Sequence, residues 1–110
     1  MADSLGRVTV APDVLVSIAR LTTLAMPGVA YLCPLGVRSL LGGKDAGGVR
    51  IEVQDGCVTV DVRIVVEQGK NILQLSQNLQ AKIARAIENM VGMDVAAVNV
   101  YIADVDFSRA

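Results

Sequence analysis

The sequence predicts an α+β domain: a small two-layer sandwich in the order β-α-β-β-α-β, with two helices packed on one face of a mixed sheet. Three observations carry that prediction. First, Asp55-Gly56 stands between two alternating apolar runs. Asp-Gly in that setting is the strongest short-range hairpin signal, because a type I′ turn needs positive φ at both central residues. Second, the hairpin is followed by an amphipathic helix with a start signal and a stop signal, and then by another apolar strand. Third, hydrophobic residues make up 53% of the 110-residue chain while aromatics are only 3%. The core is therefore built from Val, Ile, Leu and Ala, a mixture that suits a sheet covered by helices. A chain of this length is one domain and buries roughly two-thirds of its unfolded surface, enough for a core without covalent staples.

The elements follow in chain order. Residues 1–6 read as a flexible N-terminus, residues 7–107 as a single domain, and residues 108–110 as a tail. A short strand is expected at residues 7–10, with Val8 and Val10 on one face. Pro12 opens a helix, since proline is favoured at the first helical position. Ala11 supplies no capping oxygen, and Asp13 in the first turn partly compensates through the helix dipole. Val14, Ile18, Leu21 and Ala25 fall on one face of this helix, with Leu15 and Leu24 on its flanks. Pro27-Gly28 ends it. Residues 29–48 hold five of the ten glycines and read as a mobile loop, most clearly over residues 34–48, with a single helical turn at Val37 to Leu41.

The hairpin comes next. A two-residue loop at Asp55-Gly56 places Gln54 opposite Cys57, and the register propagates from there. Val53 faces Val58, Ile51 faces Val60 and Val49 faces Val62, all on one side. On the other side Glu52 faces Thr59, and Arg50 faces Asp61 as a matched ion pair. The sheet therefore covers a core on one face only. The second strand continues through Ile64 and Val66 to Glu67, and Val65 is the one aliphatic residue on its outer face.

Asn71 is a good N-cap, and Gln74 three residues later completes a box-like start. Ile72, Leu75, Leu79, Ile83, Ile87 and Met90 make one apolar stripe. Gly92 is the expected terminating glycine. The last strand spans about residues 97–104. Val98, Val100 and Ile102 share one face, while Asn99 and Tyr101 take the other, a phase that Val105 and Phe107 continue. Apolar residues thus change sides near Asp104. Either a bulge sits there, or the outer face is covered by a subunit or loop. A strand, a crossover helix and a further strand imply a parallel pair with a right-handed connection.

Several function classes are disfavoured. Net charge is −1, with 10 basic and 11 acidic residues and no basic stripe. That argues against nucleic acid as a partner and against attraction to anionic lipid. A GxxG clamp and aromatic stacking residues, which a nucleic-acid module would use, are also missing. No h-region follows the polar start, and no stretch reaches the roughly 18 apolar residues needed to span a bilayer. The chain reads as cytoplasmic, without direct membrane insertion. Histidine is absent, which removes the usual general base and the commonest metal ligand. Cys33 and Cys57 lack CxxC spacing and read as idle thiols.

The remaining motifs favour bland accounts. Gly42-Gly43-Lys44-Asp45 resembles the end of a phosphate loop, but Asp45 replaces the Ser or Thr that would hold the metal. Asp104 and Asp106, with Asp61 and Asp94 elsewhere, fix no third cation ligand by spacing. No catalytic, cofactor or metal residue is expected. The candidate functional surface is Val65, Tyr101, Val105 and Phe107, an exposed apolar patch if all four share the outer face of the sheet. A small nucleic-acid-binding or ligand-sensing module is the alternative reading.

The segments Gly28-Val29, Gly48-Val49, Asp55-Gly56, Gly69-Lys70-Asn71-Ile72, Met90-Val91-Gly92-Met93 and Val98-Asn99-Val100 occur in a recognisable order. By that set the chain resembles the alkaline-shock-protein family, also called the Gls-type envelope stress response proteins of bacteria. The resemblance covers nearly the whole chain, from Arg7 to Phe107. It implies a small cytosolic α+β protein associated with envelope or alkaline stress. It also implies a homo-oligomer, and a membrane-anchor protein as a partner that holds it at the inner membrane face. The family offers no catalytic residue to carry over. Ala11 departs from the family's Ser or Thr before Pro12.

Overall fold

The computed structural model describes residues 5–34 and 44–108, with residues 44–46 by backbone only. Helix α1 (Pro12–Ala25) is followed by strands β1 (Val29–Leu32), β2 (Lys44–Ala46), β3 (Val49–Gln54) and β4 (Cys57–Glu67), then helix α2 (Ile72–Val91) and strand β5 (Asp94–Asp106). The result is the expected α+β architecture, two helices packed on one face of a mixed sheet.

Strand β4 organises the sheet. Along one side it pairs with β5 in parallel over its whole length. Along the other it pairs antiparallel with β3 through Cys57 to Val62, and with β1 through Ile64 to Val66. Strand β2 adds to the outer edge of β3. The β3–β4 register is the one the sequence predicts, from Gln54↔Cys57 through Val49↔Val62. The turn has φ 54° at Asp55 and 78° at Gly56, the positive pair that a type I′ turn requires.

Strands β1 and β3 abut end to end beside Arg63. Cys33 N–H donates to the Arg63 carbonyl at 2.8 Å, and Arg63 N–H donates to the Gly48 carbonyl at 2.9 Å. Gly48 sits in this joint with φ +98°, and a Cβ there would lie 2.6 Å from the Cys33 carbonyl oxygen. Only glycine fits both constraints.

The sheet differs from expectation at its front. Residues 7–10 join no strand, and Val8 is 92% exposed. A strand persists only with a ladder partner, and β1 takes the place beside Ile64 to Val66. Strands β1 and β2 come from the stretch read as a mobile loop. The expected helical turn at Val37 to Leu41 lies outside the described residues.

The core lies between the helices and the inner face of the sheet. Helix α2 contributes Leu75, Leu79, Ile83 and Ile87, one residue per turn. Asn71 Oδ1 accepts from Gln74 N–H at 3.0 Å, and Gly92 closes the helix in the left-handed conformation. The outlying members of the stripe, Ile72 and Met90, are exposed. Helix α1 has no side-chain cap at Ala11, as expected, but buries a different face. Leu15, Val16, Ala19 and Thr23 are inside; Val14 and Leu21 are outside, and Ile18 is half-buried. Ala19 and Thr23 are the small members of this buried line, both at 0% exposure. The Thr23 hydroxyl donates to the Ala19 carbonyl at 2.7 Å, so its burial leaves no polar group unpaired.

Candidate functional surface

The surface opposite the helices is shaped by three irregularities in strand register. Between Val29 and Tyr31, between Val95 and Ala97, and between Ile102 and Asp104 the chain advances one extra residue against β4. In each case the extra residue is an alanine: Ala30, Ala96 and Ala103. A residue inserted in this way reverses which side the following side chains face. The bulge at Ala103 therefore explains the change of phase seen in the sequence near Asp104. Before it, Ile102 pairs with Ile64 on the core side. After it, Asp104 pairs with Val65 outside and Val105 with Val66 inside.

Two of the four surface candidates are not exposed. Val105 is half-buried and packs against the core, because the bulge turns it inward. Val65 does face outward but is only 3% exposed. Its register partner on that face is Tyr31 of β1, and Tyr101 of β5 stands opposite Arg63 one step away. Tyr101 and Phe107 remain on the surface, at 51% and 67% exposure.

Tyr31 is the residue that sequence reading missed. It is 52% exposed on the outer face, and the glycine-rich stretch after it had masked its strand. The signal that could have found it is the alternation Val29, Tyr31 ahead of Pro34. With Tyr31 placed, all three aromatic residues of the chain lie outside the core. Two of them, Tyr31 and Tyr101, lie on the same sheet face as buried Val65.

Charge on this face is uneven. Outward register positions carry Glu52, Asp61, Glu67, Asp104 and Asp106 against Arg50 and Arg63. The expected Arg50–Asp61 pair is replaced. Asn99 Nδ2 donates to Asp61 Oδ1 at 2.8 Å across the β4–β5 ladder, and the Arg50 guanidinium lies 3.8 Å from Glu52 on its own strand. Asp104 and Asp106 tie down the strand end: Asp104 accepts from Val105 N–H at 2.7 Å, and Asp106 accepts from Ser108 N–H at 3.0 Å and Ser108 Oγ at 2.6 Å.

Among the described residues, no three His, Cys, Asp or Glu side chains come together to hold a metal ion. Lys44 and Asp45, the end of the supposed phosphate loop, belong to β2. A groove of about 600 Å³ runs between α2 and β5, lined by Gln77, Gln80, Ala84, Val95, Val98 and Asn99 among others, and no lining side chain titrates. Cys33 and Cys57 are free thiols.

Fold and surface together define a two-layer α+β module whose distinctive feature is an aromatic, acid-rich sheet face. The chain belongs to the alkaline shock protein 23 family, described as having a cell envelope-related function, whose model matches residues 1–107. It is 30% identical over 107 residues to the uncharacterised protein YqhY of Bacillus subtilis (strain 168), covering 94% of this chain and 79% of that one. It is 26% identical over 100 residues to the uncharacterised protein Spy1535 of Streptococcus pyogenes serotype M6, covering 89% and 78%. Among solved structures, a MamM-CTD variant superposes with a TM-score of 0.54 at 10% identity, covering 87% of this chain and all of that one. That likeness concerns the fold alone.

Proposed function

We propose that this protein is a non-enzymatic module of the bacterial envelope and alkaline stress response that works by protein–protein contact. Its outer sheet face binds another protein: further copies of itself, and a membrane-anchor protein that holds it at the inner face of the membrane. The observation that carries this reading is the placement of the aromatics. Each aromatic side chain buries 150–250 Å² when enclosed, and a folding core ordinarily uses that area first. Here Tyr31, Tyr101 and Phe107 are all half-exposed or more. Half-exposed tyrosines around an apolar centre are the composition of a contact surface. Envelope association through a partner also fits the helices, since among the described residues none is long and apolar enough to cross a membrane.

The test is Tyr101→Asp. The side chain is half-exposed, so the variant is expected to keep the parent's circular dichroism and melting temperature. Its assembly, measured by size-exclusion chromatography with light scattering, is expected to weaken at least tenfold in concentration dependence. Assembly identical to the parent would remove the sheet face from consideration.

A further inference from the structure

Helix α1 has two apolar faces, and the fold uses one. Leu15, Ala19 and Thr23 line the buried side. At 3.6 residues per turn, Val14, Leu21 and Ala25 lie about 140° around the helix from that line. Val14, Leu21 and Leu24 are 46%, 68% and 44% exposed. Basic side chains flank the stripe. Arg20 is exposed on one side of it. On the other side Lys82 and Arg85 of α2 line a groove of about 340 Å³ with Thr22 of α1, Asn89 and Met90. Helix-layer acids are fewer, Asp13 and Glu88.

The opposite side of the molecule is its counterpart. The outer sheet face holds Tyr31 and Tyr101 within an excess of carboxylates. Two copies meeting sheet to sheet would set carboxylates against carboxylates, and helix to helix would set basic flanks against basic flanks. One copy's helix face against the next copy's sheet face pairs opposite charge around apolar centres.

We infer that this protein assembles head to tail, with the Val14–Leu21–Leu24 face of α1 in one copy seated on the Tyr31–Tyr101 sheet face of the next. The inference rests on the sheet-face reading above and names that face's partner. Because the two surfaces differ and lie on opposite layers, the contact is heterologous. Its repetition extends a chain of copies unless the rotation between them closes a ring. An anionic lipid surface is the rival occupant for an apolar helix flanked by basic residues. The second copy is favoured because the chain itself carries the acidic, aromatic surface that complements it.

A complementation experiment decides the matter. Leu21→Asp disables the helix face and Tyr101→Asp the sheet face, each at an exposed position. The parent is expected to form species whose mass grows with concentration and falls with added salt. Each variant alone is expected to run at the 11.6 kDa of one chain. Mixed in equal amounts, the two are expected to give one species of twice that mass that grows no further, since each retains one competent face. If either aspartate variant melts below the parent, Leu21→Ser and Tyr101→Ser repeat the design. Parent-like assembly by Leu21→Asp, with Tyr101→Asp monomeric, overturns this inference and leaves the sheet-face reading standing. Parent-like assembly by Tyr101→Asp overturns both, as does a parent that stays monomeric at every concentration. Two monomeric variants that ignore each other also refute the head-to-tail contact. So does binding of the parent to phosphatidylglycerol vesicles that Leu21→Asp abolishes while assembly is unchanged.

Discussion

The two helices solve the same problem with unequal information. Helix α2 carries a single stripe, a side-chain cap and a terminating glycine, and the structure uses all three. Helix α1 has no cap, and apolar residues spread around most of its circumference. Two faces of α1 were therefore eligible for burial. The one chosen has the smaller side chains, Ala19 and Thr23 beside Leu15 and Val16, and the one left in solvent has Val14, Leu21 and Leu24. Total apolar content did not decide between them. The buried line is the one with two short side chains, which permit the close packing that protein interiors reward. The comparison teaches that an amphipathic pattern locates a helix against the core only when one face is polar.

Three kinds of substitution probe this contrast. Truncating the buried stripes should cost most. Leu79→Ala in α2 and Leu15→Ala in α1, at 0% and 1% exposure, are each expected to lose about 2–5 kcal/mol in urea unfolding. Leu21→Ala on the other face of α1, compared at concentrations where both proteins are monomeric, is expected to change stability by less than about 0.5 kcal/mol. Equal losses at Leu15 and Leu21 would mean that α1 is buried on both sides. Next comes overpacking. Ala19 is fully buried, so Ala19→Leu is expected to cost about 1–3 kcal/mol by forcing α1 outward. A neutral result would show that close approach is not what selects the face. The caps give the smallest effects, of opposite sign. Asn71→Ala is expected to lose about 1 kcal/mol at α2. Ala11 already has the extended backbone of an N-cap, φ −67° and ψ 142°, so Ala11→Ser is expected to gain up to about 1 kcal/mol at α1. Thermal melts of the two variants should move in opposite directions.

The candidate surface was legible in part. Tyr101 could be placed outside from the alternation Val98, Val100, Ile102 alone, and the structure agrees. The phase change near Asp104 was visible as well, and a bulge was one of two accounts for it. The inward turn of Val105 was not fixed, because a bulge and a covered outer face leave the same mark on a sequence. Tyr31 was hidden for another reason. Its strand is four residues long, sits against a glycine-rich stretch, and pairs with a segment more than thirty residues away. Nothing local reports such a pairing.

By itself the sequence determined whatever rests on short-range chemistry: the type I′ turn and the register it propagates, the capped and terminated α2, the aliphatic core and the absence of histidine chemistry. Tertiary structure alone decided which face of α1 went inside, that β1 rather than residues 7–10 completed the sheet beside Ile64 to Val66, and that Val65 would be sheltered while Tyr31 and Tyr101 stayed out. Those choices depend on competition between distant segments for the same place on β4. A turn is settled by the φ and ψ of two residues, whereas an edge of a sheet goes to whichever segment satisfies its open hydrogen bonds while packing most closely beneath the helices.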